Sequence, residues 1–317
     1  MIAERLREAV QNTAFSAGGH ECRFSVSIGL APIDGPLDVE GVLALADRVL
    51  YTAKEDGRNR VVLSRSEDEE GRLLAAAGRW SARIKRAQNE GFLRLHLQPV
   101  VDLSTGAVCH FEGLLRLQDQ PGHKPELPHS FMPHAERYGL LPDLDRWAVT
   151  EALRFLGSQA EASVFVNMSH QSLDDAHTLD LIVEMLAAHP AEAARLGFEL
   201  TELTAAQDLT STQDWMSRVK SMGCRVALDD FGAGFSSFVY LRTLQVDLVK
   251  VPGPLVRRAG SDPTDRALLQ SISLVARSLG ADVVAKWVEQ EAVVPHLTQS
   301  GIGLGQGLLF GMARPWE

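Results

Sequence analysis

Along residues 91–317 two kinds of apolar pattern alternate. Short runs rich in Val, Leu and Ile, at 93–101, 108–117, 163–167, 198–201, 225–229, 246–251, 282–288 and, more weakly, 302–306, read as strands. Stretches with helical spacing separate most of them. The clearest is 263–279. Asp262 is placed to cap it, Pro263 takes its first position and Asp265 lies in its first turn. Leu268, Leu269, Ile272, Val275, Ala276 and Leu279 form one apolar face, and Gly280 closes the helix. A second helix at 143–156 ends at Gly157. The turn Ser104-Thr105-Gly106 between the first two strands predicts a hairpin, whereas the later strands alternate with helices and predict a mainly parallel sheet. Eight strands in about 225 residues fit a TIM-like (β/α)₈ barrel with an irregular first strand. Upstream, 1–63 carries a short helix, a strand at 24–30, a loop with Pro32, Gly35 and Pro36, and a helix at 39–54, which together make a small α/β fragment. Residues 64–90 are polar, charged and free of proline, and read as a helical linker. The expected division is therefore 1–63, 64–90 and 91–317.

Composition narrows the partners more than the fold. An apolar fraction of 45% suits an ordinary globular core. A formal net charge of −10 argues against duplex nucleic acid, which requires a basic stripe for its phosphates, but allows a small phosphorylated ligand held by local cations. Cys22, Cys109 and Cys224 show no zinc spacing and read as reduced thiols. There is no secretory signal and no run of 18 apolar residues, so a cytoplasmic setting is expected, alone or as the cytoplasmic part of a longer membrane-associated protein.

The candidate chemistry lies at the strand ends. Val-Ala-Leu at 226–228 runs straight into Asp229 and Asp230 and then a glycine loop. Adjacent carboxylates raise each other's pKa unless a cation lies between them, and oxygen-rich sites suit Mg²⁺, Mn²⁺ or Ca²⁺. Taken alone, the pair suits a capped turn equally well. The other strands repeat the pattern, with Glu112, Asn167, Glu199 followed by Glu202, Lys250, Lys286 and Gln306. A parallel barrel gathers such ends at its C-terminal face. Glu and Lys inside apolar strands cost several kcal/mol unless they are paired or bound to metal.

In order, Gln98-Pro99-Val100-Val101-Asp102, Glu112-Gly113-Leu114-Leu115-Arg116, Leu144-Asp145-Arg146-Trp147, Asn167-Met168-Ser169, Glu199-Leu200-Thr201-Glu202, Asp229-Asp230-Phe231-Gly232 and Gln306-Gly307 resemble the motifs of the EAL-domain family, cyclic-di-GMP phosphodiesterases of bacterial signalling. The resemblance implies Mg²⁺ or Mn²⁺ bridging a phosphodiester and an attacking water. It implies Glu112, Asn167, Glu199 and Asp229 as metal ligands with Asp230 beside them, Lys250 facing the phosphate or water, and Gln306 completing the shell. Gln98, Leu114, Arg116 and Asp230 would contact cyclic-di-GMP, with the Arg116 fork on a phosphate. Glu202 and the loop 230–237 resemble the segment that couples the site to a homodimer interface through the barrel.

Three departures alter what the resemblance implies. Gly113 stands where the family's name-giving alanine would be. Pro252 follows Lys250-Val251 and removes an amide donor. Ala285-Lys286-Trp287-Val288-Glu289 stands where the family reads Ala-Glu-Gly-Val-Glu. Lys286 in place of glutamate changes the local charge by two units, and one unit charge at about 4 Å in an effective dielectric of 20 is worth roughly 4 kcal/mol. Such an ammonium opposes a metal ion and can replace it by pairing with Glu112 or Asp229; the alternative is that it snorkels to solvent. The expectation is a degenerate domain that binds cyclic-di-GMP as a receptor with little or no hydrolysis. Two alternatives stand: an active phosphodiesterase in which Glu289 or a rearranged shell makes good the loss, and a protein-interaction module without nucleotide binding, against which Glu112, Arg116 and Asp230 argue.

Residues 24–29, 46–54 and 57–60 resemble the C-terminal part of a GGDEF domain, the cyclase partner of this family, but its Gly-Gly-Asp/Glu-Glu-Phe turn is absent from the sequence, so cyclase activity is not expected. The glycines at 301–307 do not fit a dinucleotide fingerprint, Asp230-Phe231-Gly232 lacks the other kinase motifs, and His129 and His134 flank Pro133 with no partner carboxylate for zinc.

Overall fold

The computed structural model describes residues 2–17, 20–31, 39–63, 66–118, 120, 123–232 and 238–316. The chain divides into two compact units, Met1–Arg79 and Trp80–Glu317. The first contains α1 (Ile2–Asn12), β1 (Ala14–Ala17), β2 (His20–Arg23), β3 (Ile28–Leu30), α2 (Val39–Glu55) and β4 (Val61–Leu63). β1 and β2 form an antiparallel pair, and β3 lies parallel to β4. The strand expected at 24–30 is confined to Ile28–Leu30, because β4 offers only Val61–Leu63 to pair with it. Gly29 packs so close to α2 that a Cβ there would lie 2.4 Å from the Ala46 carbonyl oxygen. The loop with Pro32, Gly35 and Pro36 lies outside the described residues. The polar stretch that follows is helical as α3 (Ser66–Asn89), and the division between the units falls within it.

The second unit is the barrel. Its elements are β5 (Leu93–Asp102), β6 (Val108–Leu117), α4 (Pro128–Arg137), α5 (Leu141–Ser158), β7 (Val164–Asn167), α6 (His170–Asp174), α7 (Ala176–Ala188), α8 (Pro190–Ala193), β8 (Leu196–Thr201), α9 (Glu202–Gln207), α10 (Leu209–Ser221), β9 (Arg225–Asp229), α11 (Phe238–Leu244), β10 (Leu248–Val251), α12 (Gly253–Arg258), α13 (Pro263–Ser278), β11 (Asp282–Ala285), α14 (Val294–Gln299), β12 (Leu304–Gln306) and β13 (Arg314–Pro315). Strands β5 to β12 pair in sequence order and β12 closes on β5, giving an eight-stranded barrel. β5 is antiparallel to both β6 and β12, and the rest are parallel. The irregular first strand is therefore real.

The helices form for the reasons their sequences give. The Asp262 side chain accepts from the Thr264 and Asp265 amides ahead of α13, and Gly280 takes a φ of +82° beyond its end. Leu269, Ile272 and Ala276 are buried on the barrel, while Leu268 and Leu279, at the margins of the expected face, are exposed. Inside the barrel Val100, Phe165, Ala227, Leu248 and Val284 form one apolar layer. Phe165 fills this layer so fully that a Cβ on Gly197 would lie 2.2 Å from its ring. The strand expected at 282–288 ends at Ala285. Lys286 still donates its amide to Val251 O (3.1 Å), but Trp287 adopts a φ of +59° and the Val288 amide turns to Gln306 O (2.9 Å). Lys286 therefore stands just beyond the strand, at the mouth. Among the described residues no helix is long and apolar enough to cross a membrane.

Candidate ligand site at the barrel mouth

Strand periodicity determines who meets at the mouth. Alternation on β6 puts Glu112, Leu114 and Arg116 on one face and Gly113 on the other. Gly113 lies against Leu95 and Val166, and an alanine Cβ would meet Leu95 Cδ1 at 3.1 Å, a tight contact that the leucine side chain would have to give way to. Gln98 of β5 is in register with Glu112, and Asn167 of β7 with Glu199 of β8.

The deepest polar group is Lys250, which is fully buried. Its Nζ donates to Glu112 Oε2 at 2.7 Å and to Glu199 Oε2 at 2.5 Å. Gln306 Nε2 donates to Glu112 Oε2 (2.6 Å) and to Gln98 Oε1 (3.3 Å), and Asn167 Nδ2 donates to Glu112 Oε1 (3.2 Å). Gln98 Nε2 reaches Gly311 O (3.1 Å). Burial works against the charge of Glu112, but Lys250 with its hydrogen bond, then Gln306, pull its carboxyl down to about 2. Glu199 moves the other way. Burial, and then the Glu112 charge, push it up despite Lys250. One ammonium cannot fully compensate two buried carboxylates, and Glu112 has the extra amide donors; Glu199 Oε1 has none. Burial also opposes the charge on Lys250, yet Glu112, Glu199 and Asp229 hold its pKa above the usual lysine range.

The second centre lies nearer the rim. Lys286 Nζ donates to both Asp229 oxygens and to Asp230 Oδ1, each at 2.8 Å. It does not snorkel to solvent, and its partners are Asp229 and Asp230 rather than Glu112. Burial lowers its pKa, but Asp229 reverses this, and Lys286 stays charged. Asp230 adopts a φ of +53°, which lets consecutive carboxylates converge on one ammonium, and the Phe231 amide holds the turn to Lys250 O (3.0 Å).

The remaining expected residues take lesser positions. Arg116 is half-buried, donates to Leu115 O (2.8 Å) and feels the charge of Glu112 on the same face of β6. Leu114 is half-buried beside it. Glu202 opens α9 and accepts from the Gly232 amide at 3.4 Å; residues 233–237 of the expected coupling loop lie outside the described residues. Glu289 is drawn outward to Arg257 (2.7 Å), away from the position it would need to stand in for a lost acid. His134 stacks on Trp80 at 4.6 Å. Sequence reading missed the support beneath Asn167. Buried Asp145 accepts from the Ser169 amide (2.8 Å), Ser169 Oγ (2.6 Å) and Ser172 Oγ (2.6 Å), and so pins the turn after β7. The Leu144-Asp145-Arg146-Trp147 motif had marked the residue, but not its contact with the turn after β7.

A divalent ion does not fit this arrangement of donors. The carboxylates that would bind it already face two ammonium groups, and an ammonium spans both oxygens of Asp229. Among the described residues no group of three or more His, Cys, Asp or Glu side chains is disposed to hold a metal.

A (β/α)₈ barrel whose C-terminal mouth gathers polar and charged side chains from strand after strand defines a class of proteins that hold or transform a small polar ligand there. Residues 81–313 match the EAL domain, and the chain belongs to that family. It is 31% identical over 328 residues to the bifunctional diguanylate cyclase/cyclic di-GMP phosphodiesterase MucR of Pseudomonas aeruginosa, an alignment covering 100% of this chain and 46% of the relative. It resembles the solved PaMucR phosphodiesterase in its c-di-GMP complex with a TM-score of 0.69 and 31% identity, over 75% of this chain and 98% of that one. It resembles the Xanthomonas citri FimX EAL domain in complex with c-diGMP with a TM-score of 0.69 and 26% identity, over 78% and 96%. The chain spans about half or less of the length of the first curated relatives it matches, 38% to 51%.

Proposed function

We propose that this barrel is a receptor for cyclic-di-GMP that hydrolyses it poorly or not at all. The observation that carries the reading is the Lys286 ammonium on Asp229 and Asp230. An ammonium offsets part of the acids' charge without a metal, which lessens their repulsion of a phosphodiester. It cannot lower the pKa of a bound water toward neutrality as a metal ion does, so it permits binding without a nucleophile. The half-buried Arg116 guanidinium on the same strand face as Glu112 supports retention of the ligand. Solved relatives hold c-di-GMP on the same fold. Residues 1–63 are read as the C-terminal part of a GGDEF domain, and the full-length alignment with the bifunctional MucR supports this. A cytoplasmic setting and pairing of two copies through the barrel belong to the same reading.

The test is calorimetric titration of cyclic-di-GMP with Mg²⁺ and then with chelator, followed by analysis of the recovered nucleotide. The expected result is binding that survives chelation, with intact nucleotide recovered, and loss of affinity in Arg116→Ala. Metal-dependent conversion to the linear dinucleotide would overturn the reading in favour of a phosphodiesterase. No binding under either condition would overturn it in favour of a protein-interaction module.

A further inference from the structure

Trp287, next to Lys286, is a large aromatic residue with half of its surface (50%) in solvent. Its backbone φ of +59° is one that bulky side chains rarely adopt. The flanking amides fasten it there, Lys286 N to Val251 O (3.1 Å) and Val288 N to Gln306 O (2.9 Å). The ring is held as firmly as the backbone. Gly253 lies against it so closely that a Cβ would sit 2.2 Å from Trp287 Cε3. The Arg257 guanidinium lies 4.9 Å from the ring centroid and is itself fixed by Glu289 at 2.7 Å. Gly253 and Arg257 are four residues apart on α12, hence on one side of that helix, and both pack against the ring. Half of the residue's surface remains in solvent. Leu308 and Leu309, both exposed, follow Gln306-Gly307, and the Leu309 amide bonds to Val288 O (3.1 Å), which places this apolar pair beside the Trp287 segment.

A backed, half-exposed indole beside an ammonium that tempers the acids of the mouth matches the two halves of a purine nucleotide. We infer that the solvent-exposed part of Trp287 is a stacking platform for a purine base of the bound nucleotide, and that Lys286 and Trp287 act as one unit, the cation lessening the repulsion of the phosphate and the ring taking the base. The inference rests on the receptor reading above. Stacking needs a flat π-face and little sequence-specific hydrogen bonding, so Trp287 adds affinity for a base without selecting guanine over adenine.

The experiment compares cyclic-di-GMP affinity by calorimetry, in chelator, for the unaltered chain, Trp287→Gly and Trp287→Phe. Glycine suits the left-handed backbone, so this variant is spared backbone strain; circular dichroism and a thermal melt check its fold. The expected loss in Trp287→Gly is about 5- to 150-fold, the worth of one base–aromatic stack. Trp287→Phe recovers most of it, and quenching of tryptophan fluorescence on binding is diminished in both variants. If the unaltered chain binds and Trp287→Gly binds within twofold of it, this inference falls and the receptor reading stands. If the unaltered chain does not bind, both fall.

Discussion

Two lysines neutralise acids in this barrel, and they do so at different depths. Lys250 is sealed between Glu112 and Glu199, with amide donors from Gln306 and Asn167 completing the cluster. Lys286 bridges Asp229 to Asp230, whose side chain is half-exposed. The chemistry is the same, but the surrounding medium is not. In the dry interior each charge is costly unless matched, so Lys250 is bound to the folding of the barrel itself. Nearer the rim only Asp230 reaches water, while the Lys286 and Asp229 side chains are 14% and 9% exposed, so exchanging Lys286 unpairs one buried acid rather than two and costs less than exchanging Lys250, while changing what the mouth binds. The depth of a charge thus separates structural from functional consequence.

The comparison breaks most readily at its deep end. Lys250→Met leaves two buried carboxylates facing each other, and a loss of about 3–5 kcal/mol is expected in urea denaturation at neutral pH. A loss below about 1 kcal/mol would mean that the acids simply take up protons and that depth does not matter as claimed. Next in size is Lys286→Glu. Without divalent cations this variant is expected to melt below the parent, and Mg²⁺ at a hundredfold over its Kd should restore about 2.7 kcal/mol, whereas the parent gains little. An equal Mg²⁺ effect on both proteins would show that Lys286 does not exclude the metal.

A third measurement probes the field below Lys250. His110 is buried beside Phe165, their rings 4.8 Å apart. Burial first, then Arg225 and Lys250, push its pKa down from 6.5 to about 3. The unfolded chain therefore binds a proton that the folded one refuses between these values. The His110 contribution to stability is full above pH 6.5 and falls as pH drops toward 3, by about 1.4 kcal/mol per pH unit. His110→Phe should remove this slope in that window and leave the later loss from Glu112, whose carboxyl gives up stability only as pH falls from 4.5 toward 2. An unchanged slope in the variant would place the titrating group elsewhere. Lys286→Met unpairs one buried carboxylate rather than two, and a loss of about 1–3 kcal/mol, smaller than that of Lys250→Met, is expected, with weaker cyclic-di-GMP binding in chelator. A stability loss as large as that of Lys250→Met would erase the difference between the two centres.

Sequence alone determined the barrel and most of its membership. Alternating apolar strands and helical faces dictate a parallel sheet, and the polar residue ending strand after strand marks the mouth, because such side chains have no other tolerable place. Family likeness then singled out Lys286 as the anomaly. Only the tertiary structure decided what Lys286 does. Snorkelling to solvent, pairing with Glu112 and pairing with Asp229 were all open to a long flexible side chain, and the choice depends on the left-handed turns at Asp230 and Trp287, which no local pattern announces. The same holds for Glu289, whose partner Arg257 lies on a neighbouring helix, and for Trp287, whose hold on Gly253 needs β11 and α12 brought side by side. Periodicity reports which face a residue takes. The partner it finds there depends on contacts between segments far apart in the chain, and those exist only once the barrel has closed.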